Sequence, residues 1–287
     1  MAIDKSKPVL ITGCSTGIGR ATAKQLAESG WNVYASARKL DAIEDLKDSG
    51  CETLALDVTD EKSMTAAVAA VEKDGGSVGA LVNNAGYSQS GAVESVPLDT
   101  VRRQFETNVF GLMRMCQLVL PGMRKAGAGR IVNISSIGGK LVFPGGGVYH
   151  GTKHAVEALS DALRFEVAGF GVDVVVIEPG LIITEFGETA AGSIDETEDG
   201  PYAKFNKDVA ETTAGAYEGG MSKLGGGPET VASKIEKALS SRKPRTRYKV
   251  TPSAGVIMGL RGGMTDRMWD RFVGSQYPQP KPDAGGK

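Results

Sequence analysis

The chain has little of what several common chemistries need. Only two histidines, His150 and His154, occur in 287 residues, so a metal centre would start with few ligands. Its cysteines, Cys14, Cys51 and Cys116, are odd in number, widely spaced and without a Cys-x-x-Cys pair, which supports neither a disulfide framework nor a zinc site. No apolar run approaches the ~20 residues of a membrane helix. An excess of one charge is also missing: 33 Lys and Arg stand against 34 Asp and Glu, a formal net charge of −1, which argues against nucleic acid as the main ligand. Residues 1–10 carry Asp4, Lys5 and Lys7 and lack the apolar core of a secretory signal, so a cytoplasmic location is expected.

What is abundant is glycine, 39 of 287 residues, about twice its average usage and without a collagen-like period. Such glycine fits many tight turns between strands and helices. Short β-branched runs at Pro8–Thr12, Asn32–Ser36, Thr53–Leu56, Ala80–Asn83, Arg130–Ser135 and Val172–Ile177 alternate with helical stretches. These include Gly17–Ser29, Leu40–Ser49, Glu61–Glu72, a long helix capped by Asp99 and reaching about Lys125, and Gly147–Val167. Continuous apolar strands between helices indicate a parallel sheet covered on both faces. The expected fold is therefore α/β and doubly wound; a TIM barrel would need eight strands, and only Arg247–Val250 adds to the six.

One domain is expected over residues 1–275. Within it, 184–228 reads as a long loop rich in Gly, Glu, Thr and Ala, of the kind that is functional when it interrupts a compact domain. Residues 229–239 resume a helix. The segment 251–274 is a C-terminal extension with an amphipathic helix over 256–272, closing over the domain or, alternatively, lying on a membrane surface. Residues 276–287 read as a disordered tail.

Gly13, Gly17 and Gly19 lie between the first strand and the first helix, where a dinucleotide pyrophosphate can approach backbone N–H groups. The second strand ends Ser36-Ala37-Arg38-Lys39 with no acid until Asp41. An acid there would bind a ribose 2′-hydroxyl and a base a 2′-phosphate, so NADP(H) is favoured over NAD(H). Tyr149 and Lys153 share one helical face a turn apart, and Asn83, Ser136 and the Gly13 loop fall at the same carboxyl edge of the sheet. A neighbouring ammonium stabilises a phenolate, which suits this pair to acid–base work. Tyr277 and Lys281 have the same spacing but enclose Pro278 and Pro280 and cannot form a helix. His150 and His154 read as packing or surface residues, and Cys14 as a small turn residue.

TGxxxGxG at Thr12–Gly19, NNAG at Asn83–Gly86 and YxxxK at Tyr149–Lys153, in this order, resemble the short-chain dehydrogenase/reductase family over residues 8–250. The resemblance implies an oxidoreductase with Tyr149 as general acid/base and Lys153 on the nicotinamide ribose. Ser136 would bind the substrate oxygen, with Ser135 the lesser candidate, and Asn108 would anchor a proton-relay water. It implies coenzyme contacts from Gly13, Ser15, Thr16, Gly17, Ile18, Gly19, Arg38, Asp57, Val58, Asn84, Ala85, Gly86, Pro179, Gly180 and Thr184. YASARK, the end strand and the extension resemble the branch of 17β-hydroxysteroid and retinol dehydrogenases, implying a bulky apolar ketone or secondary alcohol. A homodimer or homotetramer is implied through the two long helices. The alternatives are a 3-oxoacyl thioester reductase, against which the acidic residues 195–199 speak, and a nucleotide sensor without chemistry.

Overall fold

The computed structural model describes residues 2–194, 200–218, 224–277 and 279–280. Runs of Val, Ile and Leu become β1 (Val9–Ile11), β2 (Val33–Ala37), β3 (Glu52–Ala55), β4 (Ala80–Asn83), β5 (Gly129–Ile134), β6 (Val172–Pro179) and β7 (Arg247–Val250). They form one parallel sheet in the order β3-β2-β1-β4-β5-β6-β7. The chain leaves β1 toward β2 and returns to the other side of β1 with β4. That reversal opens a crevice at the carboxyl ends of β1 and β4, the place where such sheets bind ligands.

Because both faces are covered, strand residues alternate between two cores rather than between core and water. Val9, Ile11, Val82 and Ile177 pack against α1 (Gly17–Glu28) and α8 (Pro228–Ser240). Leu10, Leu81, Ile131 and Val174 pack against α2 (Glu61–Gly75), α4 (Leu112–Ala126) and α5 (Gly147–Val167). Between α2 and α4 lies α3 (Leu98–Phe105). After β6 come α6 (Glu185–Ala191), α7 (Ala203–Glu218), α8 (Pro228–Ser240), α9 (Pro252–Gly262) and α10 (Asp266–Gly274).

Several expectations from sequence are corrected. Residues 184–228 are not one loop, since α6 and α7 lie within them; their small residues hid the helical period. The acidic stretch 195–199 lies outside the described residues. Asp99 does not cap its helix: Pro97 holds that position, and Asp99 sits in the first turn bound to Arg102 at 2.7 Å. The long helix is interrupted by a π turn over Glu106–Gly111, a feature frequent at functional sites. Leu40–Ser49 winds as 3₁₀ turns. The stripe 256–272 bends at Gly263 into two helices, with Thr265 capping the second through Met268 N. Tyr277 packs its ring 6.5 Å from Phe143, while residues 278 and 281–287 lie outside the described residues.

One buried cation ties the sheet to the helices beyond the site. Arg130 on β5 is fully buried, bonds Asp173 at 2.6 Å, and donates to Leu239 O at 2.9 Å and Ser241 O at 3.0 Å. It satisfies last-turn carbonyls of α8 that the helix leaves without partners. Arg130→Ala should therefore cost about 3 kcal/mol or more, because partners of a buried charge are left unpaired. Chemical denaturation of the two proteins measures this.

Candidate active site

The glycine loop is shaped by the protein before any ligand enters. Gly13 (φ 73°) and Gly17 (φ 54°) adopt left-handed conformations that β-carbon residues resist. Gly19 is required for a different reason: a Cβ there would lie 2.4 Å from Asn84 Nδ2 and closer still to Gly13 O. Asn84 Nδ2 donates to Thr12 O and Gly13 O, both at 2.9 Å. The Thr12 hydroxyl accepts from the N–H groups of Asn84 and Ala85, both at 3.0 Å. The loops after β1 and β4 are thus clasped together. Sequence reasoning took Thr12 only as the first letter of a motif; its clasping role needs the register of β1 against β4.

This loop fits a dinucleotide. Thr16 leads α1 in extended conformation, yet no side chain caps the helix and no acid occupies its first turn. Backbone N–H groups and the positive end of the dipole there suit a pyrophosphate. Ser15 and Thr16 are exposed, Ile18 half-buried. The Thr184 side chain stands over Gly17, 3.6 Å from where a Cβ would be. Arg20 of α1 is engaged by Asp45 and by Ala42 O at 3.2 Å, whereas exposed Arg38, directly after β2, has no ion pair or hydrogen bond among the described residues. Asp57 Oδ1 accepts from Thr59 N and Oγ1 at 2.9 and 2.8 Å, closing the turn after β3. Val58 is buried against Gly111, where a Cβ would lie 2.4 Å from Val58 O. On the far side, Gly180 N donates to Val250 O at 3.0 Å, and its missing side chain admits Thr251 and Ser253. Thr251 (φ 81°) is the one non-glycine residue with positive φ among the described residues.

Facing this loop, α5 begins with the expected pair. Lys153 is buried, donates from Nζ to Ile134 O at 2.8 Å, and lies 5.7 Å from the centre of the Tyr149 ring. Burial lowers its pKa to about 8, opposed by nearby Glu157. Tyr149 is half-buried between His150 and Phe186, with ring centres 5.7 and 5.5 Å away. Ser136 begins the turn after β5, half-buried, its hydroxyl accepting from Gly138 N at 3.0 Å. Ser135 is buried against Gly139, so the second of the two serines is the one that reaches the site.

Asn108 sits in the π turn, also buried. Its amide donates to Tyr87 O at 2.9 Å and Thr152 Oγ1 at 3.1 Å, and its oxygen accepts from Tyr87 N at 3.1 Å. Gly86 lies beside it, since a Cβ there would be 3.0 Å from Asn108 Oδ1. Asn83 crosses instead to Asn133 Oδ1 at 2.9 Å, inside the sheet. Both donors of Asn108 are used to brace α5 against the loop after β4.

The three cysteines and His150 are buried. Cys14 and Cys116 are buried and pushed up to about 12, and Cys51 to about 11, by desolvation. His150 accepts from Phe143 N at 3.3 Å through Nδ1 and is pushed down to about 4, also by burial. His154 is exposed.

The residues around Ser136 and Tyr149 are largely apolar. Ile137, Leu141 and Phe143 pack with Ile257, Trp269 and Phe272 of α9 and α10, and Trp269 donates to Val142 O at 3.1 Å. Helix α7 closes from the other side: Asn206 accepts from Ala92 N at 3.0 Å, and Val209 fills the space beside Gly145. Phe186, which the sequence did not single out, comes from α6 to the Tyr149 ring.

Residues 7–193 match the family model for short chain dehydrogenase. The chain belongs to the short-chain dehydrogenase family. It is an oxidoreductase of CH–OH and carbonyl groups. It is 36% identical over 276 residues to the NADPH-dependent 3-dehydrocapnine reductase of Ornithobacterium rhinotracheale, covering 92% of this chain and 94% of that one. It is 36% identical over 251 residues to the 3-ketodihydrosphingosine reductase of Bacteroides thetaiotaomicron (87% and 89% covered). Human 17-beta-hydroxysteroid dehydrogenase type 1 is 36% identical over 269 residues (88% and 80%), in line with the branch resemblance. A short-chain dehydrogenase crystal structure from Streptomyces avermitilis superposes with a TM-score of 0.77 at 34% identity, covering 95% of this chain and 98% of that one.

Two tests follow for this short-chain dehydrogenase. Thr12→Val leaves two loop N–H groups without their acceptor and should cost about 2 kcal/mol of stability and weaken coenzyme binding, while Thr12→Ser should restore both. Thermal unfolding and coenzyme fluorescence titration read the pair. For His150, the folded pKa lies below that of the unfolded chain, so its contribution to stability is full above about pH 6.5 and is lost as pH falls toward 4. His150→Asn should flatten that part of the melting-temperature profile.

Proposed function

We propose that the enzyme is an NADP(H)-dependent oxidoreductase interconverting a ketone and a secondary alcohol on a bulky, apolar substrate. The observation that carries this reading is the convergence of Ser136, Tyr149 and Lys153 between the glycine loop and an apolar wall. NADP(H) is supported by the unpaired Arg38 and by the absence of an acid at the end of β2; a similar reductase is NADPH-dependent. Gly13, Ser15, Thr16, Gly17, Ile18 and Gly19 would hold the pyrophosphate. Asp57, Val58, Asn84, Ala85 and Gly86 would line the adenine and ribose, and Pro179, Gly180 and Thr184 the carboxamide. When bound, the nicotinamide supplies or accepts the hydride.

The chain's own residues do the rest. The Ser136 hydroxyl hydrogen-bonds the carbonyl oxygen and fixes its distance from Tyr149. In reduction the Tyr149 phenol gives its proton to the developing alkoxide; in oxidation the phenolate takes it back. The Lys153 ammonium stabilises that phenolate, and Ile134 O fixes where the charge sits. Asn108 positions α5 rather than touching substrate. The wall formed by Leu141, Phe143 and Trp269 excludes water and favours an apolar body, such as a steroid or a long-chain ketone. The names of similar proteins include both substrate kinds.

Subunit pairing through α4 and α5 belongs to the same reading. Phe110, in the π turn before α4, and Phe165, on α5, stand 52% and 88% exposed and are apolar side chains that these elements would offer a second subunit. A dimer or tetramer is expected by sedimentation, and Phe165→Ser should shift it toward monomer.

The direct test is NADPH consumption with a steroid ketone, a long-chain 3-ketone, retinal and a simple aromatic ketone. Turnover of a bulky apolar ketone should fall by at least ~10³-fold in Tyr149→Phe while NADPH still binds; equal rates in both proteins would refute the assignment. Since the folded pKa of Lys153 is about 8, its ammonium is present below that pH and lost above it. Reduction should decline as pH rises through about 8, and Lys153→Arg, charged throughout, should lose that step.

A further inference from the structure

A cavity of about 670 Å³, away from this site, lies along the open edge of β7, where β7 meets α8 and α9. It is lined by Lys234 and Lys237 from α8, Lys243 and Arg245 from the turn before β7, and Lys249 on β7 itself. None of these five has an ion pair among the described residues. Lys140 and Arg247 also border the cavity but are engaged by Glu157 at 2.8 and 3.0 Å. In a chain of net charge −1, seven cations border this cavity against one acid, Glu178, so positive charge is locally in excess.

Lysines on an edge strand commonly guard it against pairing with another chain. Two observations go beyond that. The cations converge from α8, the preceding turn and β7, not from the edge strand alone. And Glu178, which borders the same cavity, is 1% exposed with neither carboxylate oxygen hydrogen-bonded; its nearest cation is Arg247 Nε at 3.3 Å. A buried acceptor left this way asks for a donor from outside.

The edge backbone adds donors. Thr246 O and Val250 O accept from β6, at Val176 N and Gly180 N, so the alternating residues Arg247 and Lys249 turn their amides outward into the groove. With four residues, β7 is too short to template a strand of any length.

We propose that this groove is a second anion site, distinct from the coenzyme pocket, for a compact ligand bearing two or more phosphate groups, held chiefly by Lys234, Lys237 and Lys249. A phosphate oxygen that keeps its proton, or a hydroxyl of the same ligand, donates to Glu178. The ligand neutralises the cation cluster and so stabilises the folded chain.

The experiment titrates NADPH-saturated enzyme with inorganic triphosphate at constant ionic strength by calorimetry, so that the coenzyme's own phosphate contacts are filled. A parallel arm sediments the enzyme with phosphatidylcholine vesicles with and without a phosphatidylinositol bisphosphate, which separates a free polyphosphate from a lipid headgroup of the same chemistry. The expected result is binding in one arm that Lys237→Glu with Lys249→Glu weakens at least roughly tenfold while NADPH affinity and turnover are unchanged. Absence of binding in both arms, binding that the charge reversals leave untouched, or preference for oligoglutamate over triphosphate would overturn the proposal.

Discussion

The clasp between Thr12 and Asn84 is the constraint on which the site rests. Other bonds hold each loop separately, Cys14 N to Ser36 O after β1 and Tyr87 to Asn108 after β4, but the clasp is what joins the two loops to each other. One hydroxyl accepts two backbone N–H groups and one amide returns two bonds, so the two halves of the sheet are fixed at their point of reversal. Gly19 then follows from packing, because any side chain would displace Gly13 and Asn84. The loop is pre-shaped by protein contacts, and a dinucleotide would meet donors already in place.

From that point the order runs outward by bracing. Asn108 links the loop after β4 to α5 through Tyr87 and Thr152, α5 carries Tyr149 and Lys153, and Lys153 is tied to the end of β5 through Ile134 O. The C-terminal helices pack against Phe143, α7 places Val209 beside Gly145, and α6 brings Phe186 to Tyr149. The candidate site lies at strand ends and the start of α5, while its apolar surroundings come from segments outside the repeating strand–helix pattern.

That division explains what could be read from sequence. Strands buried on both faces appear as unbroken apolar runs, and the glycines, NNAG and the Tyr149–Lys153 pair stand out by their spacing; all seven strands and the carboxyl-edge placement are legible. Missed were features whose cause is distant in sequence. Thr12 and Asn84 meet only through strand register, Asn108 in the π turn bonds Thr152 and Tyr87 far off in the sequence, and Phe186 reaches Tyr149 from a helix whose small residues mask its period. The bend at Gly263 is visible in hindsight as a glycine pair followed by a capping threonine. Asp99 was read as a cap because the residue type suits it, yet Pro97 starts the helix two residues earlier.

The measurement closest to the central claim is the fate of a label. A single turnover with NADPH deuterated at nicotinamide C4 and a bulky apolar ketone, followed by mass spectrometry of the alcohol, should place one deuterium on the carbinol carbon. Tight coenzyme binding with no label transferred to any of a series of apolar ketones would contradict the account and leave a nucleotide-binding protein without this chemistry.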